Sequence, residues 1–295
     1  MRMPPADKIA PLEARLASAL QSGDISSLVV LGYGEISCVL RLEWESAGFA
    51  CKRLPGFNSK ARFQAYSACF DEYLKTLADR GIDPVQSELV ALSQPSGEER
   101  VYCVQPELPS WSLLPSYMRS AGEAVARDLF LQIIGHFESA VTGDLGVDGQ
   151  LSNWALVDGK LLYLDVTTPL LRDANGKERL DTDLFLASLP YILRFPVKKL
   201  LLGKILNKYY EPRGIVVDLL GNLLKERLEH LLPVFLKVIK QRFAEPITDA
   251  EVRAYYEDDA KTWALLQRLR RMDRFWQQKI RRRTYPFLLP GPIQR

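Results

Sequence analysis

Residues 143–169 read GDLGVDGQLSNWALVDGKLLYLDVTTP, and the rest of the chain is organised around them. Asp148 stands five residues before Asn153. Two short apolar runs follow, Trp154 to Leu156 and Lys160 to Val166, joined by Asp158-Gly159. That dipeptide is a strong hairpin signal, because it accepts the positive φ angles that a two-residue turn requires. Trp154, Leu156, Leu161, Leu162, Tyr163 and Leu164 give the hairpin a buried character. Asp165 closes its second strand, so Asp148, Asn153 and Asp165 are expected at one end of a hairpin.

Oxygen-bearing side chains gathered in this way suit phosphoryl transfer. One carboxylate orients an attacking hydroxyl. An Asn oxygen and a second carboxylate hold Mg²⁺, whose remaining ligands are phosphates and water. The spacing resembles the catalytic and metal-binding loops of the protein kinase-like superfamily, H-R-D-x-x-x-x-N followed by D-F-G. Gly146-Val147-Asp148 stands in the H-R-D place, Asn153 in the Asn place and Asp165-Val166-Thr167 in the D-F-G place. The His, Arg, Phe and Gly of those motifs are missing. A rival alignment takes Gly143-Asp144-Leu145 as the G-D-L of aminoglycoside phosphotransferases. It makes Asp144 the catalytic acid, nine residues before Asn153 instead of five.

The upstream sequence continues the resemblance in order. Residues 6–22 carry Ile9, Leu12, Leu16 and Leu20 at helical spacing. Two β-rich runs, 28–31 and 37–44, flank Gly32-Tyr33-Gly34-Glu35-Ile36, where glycines would let backbone N–H groups approach phosphates. The loop is similar to the kinase Gly-rich loop, with Ser37 for the third Gly and Val39 in the Val place. Phe49-Ala50-Cys51-Lys52 is similar to V-A-I-K, which implies that Lys52 neutralises the α- and β-phosphates while Ala50 lines the nucleotide site. Residues 58–80 are expected to be a helix capped by Asn58 or Ser59 and ended by Gly81. Asp71 or Glu72 on that helix would pair with Lys52. Strands at 87–93 and 101–105 lead to Gln105-Pro106-Glu107, read as a hinge whose backbone meets adenine; Pro106 removes one donor there.

A long helix is expected over 119–141, with Val125, Leu129, Ile133, Phe137 and Val141 in register. After Pro169 the chain is polar, turn-rich and short, without an A-P-E motif. Asp183 opens the next helical run, either as an N-cap or, by the resemblance, bracing the catalytic loop. Helices are expected over 196–210, over 216–243 with a kink at Pro233, and from Thr248 or Asp249 to about Ile280. The last one ends in Arg268, Arg270, Arg271, Arg274, Lys279, Arg281, Arg282 and Arg283, a solvated face or a docking surface for an anionic partner. The tail YPFLLPGPI is expected to pack back on the fold.

The chain has 295 residues, 47% hydrophobic and 25% charged, with a net charge of +3. That charge is too small to argue for nucleic acid, although a helical nucleic-acid binder using the basic end remains a third reading. No apolar run is long enough to span a bilayer, and no secretion signal is expected in MRMPPADKIA. Cys38, Cys51, Cys69 and Cys103 read as reduced core thiols, which fits a cytoplasmic protein. Two His residues, His136 and His230, argue against zinc and Ser-His-Asp chemistry.

These readings lead to an α+β expectation: a two-lobed, protein kinase-like fold. Residues 1–107 form an N-terminal helix and an antiparallel-sheet nucleotide lobe, and residues 108–295 form a helical lobe. The helical end and the missing A-P-E place the resemblance nearer the aminoglycoside phosphotransferase or atypical bacterial kinase branch. It implies ATP and Mg²⁺ as cofactors and an unidentified hydroxyl acceptor. The alternative is a pseudokinase that keeps the fold as a nucleotide-binding or scaffold module without turnover.

Overall fold

The computed structural model describes residues 1–34, 37–187, 194, 195, 198 and 202–289. Helix α1 (Ala6–Ser22) is followed by strands β1 (Val30–Tyr33), β2 (Cys38–Trp44) and β3 (Ala47–Arg53), then helix α2 (Lys60–Asp79). Strands β4 (Glu88–Ser93) and β5 (Glu99–Pro106) complete an antiparallel sheet in the order β1-β2-β3-β5-β4.

The two faces of the sheet follow from the two-residue period of a strand. Phe49 and Cys51 of β3, with Tyr102 and Val104 of β5, pack with Ile9, Leu12 and Leu16 of α1. Val101 and Cys103 point the other way, into the main core with Tyr66, Phe70 and Tyr73 of α2. Lys52 lies between Cys51 and Arg53, so it belongs to the face opposite α1. Ser59 caps α2 by accepting from Arg62 N, as its sequence suggests.

The rest of the described chain is mostly helical. Helices α3 (Leu114–Ser120) and α4 (Glu123–Ala140) replace the single helix expected over 119–141, because the chain turns extended at Ala121 and Gly122. The buried side of α4 is set by Ala126, Leu129, Phe130, Ile133 and Phe137, and Val125 is exposed. The hairpin forms as expected from β6 (Trp154–Val157) and β7 (Lys160–Tyr163), with Asp158 at φ 50° and Gly159 at φ 78° in the turn.

Further helices are α5 (Asp183–Leu186), α6 (Leu202–Asn207), α7 (Pro212–Lys225), α8 (Leu232–Ile239) and α9 (Asp249–Phe275), the last extended by a π-helical turn at Trp276–Ile280. The helix expected over 196–210 lies partly outside the described residues. Pro233 does not kink a long helix. It sits in the first turn of α8, where its missing N–H costs nothing, after a break at Arg227 (φ 57°). Thr248 caps α9 by accepting from Glu251 N at 3.2 Å. All four cysteines are free and buried, and burial pushes the Cys51 and Cys103 thiols up to about 12, which keeps them protonated. No helix of the described residues is long and apolar enough to cross a membrane.

One buried ion pair fastens α1 and the C-terminal tail to the sheet. Arg53 Nε and Nη2 each donate to Glu13 at 2.8 Å, Tyr102 donates to Glu13 at 2.6 Å, and Arg53 Nη1 donates to Pro286 O at 2.9 Å. Burial pushes the Glu13 carboxyl up, but the Arg53 bonds and charge outweigh it and hold its pKa below 4.5. Because the folded value is depressed, this stabilisation is present above about pH 4.5 and is lost as pH falls through the folded pKa. Glu13→Ala would leave a buried guanidinium without its carboxylate. It should cost about 3 kcal/mol in chemical denaturation at pH 7, with a smaller cost in acid.

Candidate functional site

Lys52 and Asp165 meet across the layers. Lys52 Nζ donates to Asp165 Oδ1 at 2.8 Å, 113 residues away in sequence. Lys52 is carried by β3, rigid between β2 and β5. Asp165 leaves the end of β7, and the backbone on either side of it is pinned. Leu164 N donates to Asn153 O at 2.8 Å, and Gln105 Nε2 donates to Leu164 O at 2.8 Å. Thr167 donates its hydroxyl (3.0 Å) and backbone N–H (3.4 Å) to Asp165 Oδ1, and Tyr66 donates to Thr167 O at 2.9 Å. Burial works against the Asp165 charge, yet Lys52 and Thr167 prevail and hold its pKa below the ordinary value.

The loop 146–153 is held as firmly. Tyr73 donates to Gly146 O at 3.1 Å. Tyr163 accepts from Asp148 N at 3.2 Å and donates to Asp148 O at 3.3 Å, and Asn153 Nδ2 donates to that same oxygen at 3.2 Å. From α7, Asn222 Oδ1 accepts from Leu151 N at 3.1 Å. The glycines of this loop are required by space. A Cβ at Gly149 would lie 2.2 Å from Ile215 Cγ2 and 2.7 Å from the Phe137 ring, and one at Gly146 would lie 2.8 Å from Tyr209 O.

These elements enclose a cavity of about 540 Å³, lined by Lys52, Asp148, Asn153 and Asp165 together with Tyr33, Gly34 and Ser37. Its far side is made by Asp218, Tyr255, Asp259, Trp263 and Arg270 from α7 and α9. There Lys208 Nζ donates to Asp218 Oδ1 at 3.1 Å and to the Tyr255 hydroxyl at 2.6 Å, and Tyr255 donates to Asp218 as well. Asp218 is buried, and its Oδ2 makes no hydrogen bond. Burial, followed by the charges of Asp218 and Asp165, pushes the Asp148 carboxyl up to about 7, with Lys208 opposing.

Several expected roles fall elsewhere. Neither Asp71 nor Glu72 reaches Lys52: Asp71 is exposed, and Glu72 pairs with Arg179, with one N–O contact of 2.6 Å. The cause is helical phase, since Tyr66 and Cys69, not the acids, are on the buried side of α2. Asp183 is neither cap nor brace. It is exposed and bonded to Lys198 at 2.6 Å, while Asn222 braces the loop instead. Asp144 is also exposed and paired with Arg80 at 2.8 Å; of the two candidate acids, Asp148 lines the cavity and Asp144 does not.

Gly32 and Tyr33 belong to β1, so the turn begins only at Gly34, whose N–H donates to Ser37 O at 2.9 Å; residues 35 and 36 lie outside the described residues. Gln105 and Pro106 do not break the sheet but continue β5, and Glu107 is tied to Gly48 O and Arg41. Gln105, Pro106, Glu107, Val39 and Ala50 are not among the cavity-lining residues. Asp218 and Asn222 escaped the reading of the sequence. A signal existed, since they are two polar residues one helical turn apart inside the apolar run IVVDLLGNLL.

Among the described residues no three His, Cys, Asp or Glu side chains form a metal site. Asn153 and Asp165 offer two hard oxygen donors, a set that fits Mg²⁺ when phosphates and water complete it. Fold and cavity together define an α+β protein with a lysine–carboxylate cleft between an antiparallel sheet and a helical region. The chain belongs to the family of unknown function DUF6206, which matches residues 11–274. No curated protein matches the sequence.

Gly149→Ala should destabilise the protein by about 2 kcal/mol, the usual cost of overpacking a filled site. Adding Ile215→Ala should recover part of that loss in a thermal-denaturation double-mutant cycle, because it removes the nearest clashing methyl.

Proposed function

We propose that this protein is a Mg-ATP-dependent phosphotransferase with a two-lobed, kinase-like arrangement, the sheet forming the nucleotide lobe and the helical region the acceptor lobe. The observation that carries this reading is the 2.8 Å Lys52–Asp165 pair, in a cavity that Asn153 and Asp148 also line. Lys52 would hold the nucleotide's phosphates, and Gly34 and Ser37 would cover them. Asn153 and Asp165 would hold Mg²⁺, which supplies charge neutralisation on the phosphates when bound. Asp148 would orient an acceptor hydroxyl and take its proton. The acceptor oxygen then bonds to the γ-phosphorus as the bond to the ADP oxygen breaks. Asp218, Tyr255, Asp259 and Trp263 would form the acceptor side.

A second reading, a nucleotide-binding pseudokinase, is favoured by one observation. Among the described residues neither Asp71 nor Glu72 bonds to Lys52, and its ammonium is bonded to Asp165 itself. A thermal-shift titration with ATP, with and without Mg²⁺, followed by a turnover assay, separates the two.

For the phosphotransferase, Asp165→Asn should lower turnover by about a hundredfold or more. Full activity in that variant would end the assignment. Because Asp148 titrates near 7 and serves as a base only when ionised, kcat/KM should fall about tenfold per pH unit below 7. Asp148→Asn should flatten that limb.

A further inference from the structure

The end of α9 carries an exposed apolar stripe. Leu265, Met272, Phe275, Trp276 and Ile280 are each more than half exposed. Their spacing of three, four and seven residues puts them on one side of the helix, opposite the buried Gln267 and Arg270. A water-facing helix normally carries polar residues there.

The charge around the end of the stripe is predominantly positive. Arg268, Arg271, Arg274, Lys279, Arg281, Arg282 and Arg283 lie beside or beyond it, and Asp273 is the only acid between Arg268 and Arg283. The last three arginines are exposed and do not belong to a loose tail. Two residues after Arg283, Tyr285 is buried and then Pro286 O accepts from Arg53, so the chain is fastened on both sides of the triplet.

We infer that this stripe is a docking surface for an anionic lipid bilayer, with α9 lying in the plane of the membrane interface. Aromatic and aliphatic side chains would enter the headgroup–acyl boundary, and the arginines would meet the acidic headgroups. Charge complementarity selects this occupant. A second copy of the chain would bring the same dense positive charge against itself. A nucleic acid would match the charge and could stack on Phe275 or Trp276, but it gives Leu265, Met272 and Ile280 no apolar surface to enter. This inference is independent of the phosphotransferase reading.

The test is co-sedimentation of the full chain with two kinds of vesicle, phosphatidylcholine alone and phosphatidylcholine mixed with phosphatidylserine. The protein should pellet with the mixed vesicles only. Arg281→Gln/Arg282→Gln/Arg283→Gln should weaken that binding about a hundredfold. Phe275→Ser/Trp276→Ser should weaken it at least about tenfold. Both variants alter exposed side chains and should keep the wild-type circular dichroism and melting temperature. The inference is overturned by equal partitioning onto both vesicles or onto neither. It is also overturned if the aromatic variant binds mixed vesicles as well as wild type, if a single-stranded oligonucleotide is preferred to the vesicles, or if the aromatic variant only dissociates a dimer.

Discussion

The contact between Lys52 and Asp165 is the constraint on which the rest of the cleft depends. A lysine from the middle of one sheet and an aspartate from the end of a separate hairpin are held at hydrogen-bond distance, each only partly exposed. Burial works against the Asp165 charge, and the lysine facing it holds that carboxyl below its ordinary pKa. Everything around them fixes that meeting. β2 and β5 flank the lysine strand, Gln105 and Asn153 pin the backbone before Asp165, and Thr167 supplies two further donors.

The same logic extends to the loop that carries Asp148. Its backbone is tied by tyrosines from α2 and β7 and by an asparagine from α7, so elements distant in sequence converge on a few peptide groups. The loop is packed so closely against Phe137, Ile215 and Tyr209 that only glycine fits at two of its positions. The result is a half-buried carboxyl near two other carboxylates, a setting that raises its pKa to about 7. Lys208 partly balances this negative charge, and Tyr255 donates a hydrogen bond to Asp218.

Helix α1 and the segment around Pro286 also meet. Glu13 of α1 and the carbonyl of Pro286 share the guanidinium of Arg53, so the N-terminal helix and the C-terminal tail are attached to the same residue of β3. That strand also carries Lys52, one residue earlier. Packing on one face of β3 and the cleft on the other are thereby joined through adjacent side chains that point in opposite directions.

Local signals in the sequence determined the hairpin, its Asp158-Gly159 turn, the strands of the sheet, the capped start of α2 and the burial of the cysteines. Each depends on a short-range rule of turn chemistry, alternation or capping. The grouping of Lys52, Asp148, Asn153 and Asp165 in one cleft was legible only as an order of motifs along the chain. What tertiary structure alone decided was who faces whom. Glu72 turned to Arg179 because the phase of α2 is set by Tyr66, Phe70 and Tyr73 seeking the core. Gln105 turned its amide to Leu164 O. Asp218 and Asn222 joined the cavity from α7, more than fifty residues beyond the hairpin. Sequence spacing fixes a side chain's direction within its own element. The partner it meets depends on how the elements pack, and that depends on apolar area buried across the whole chain.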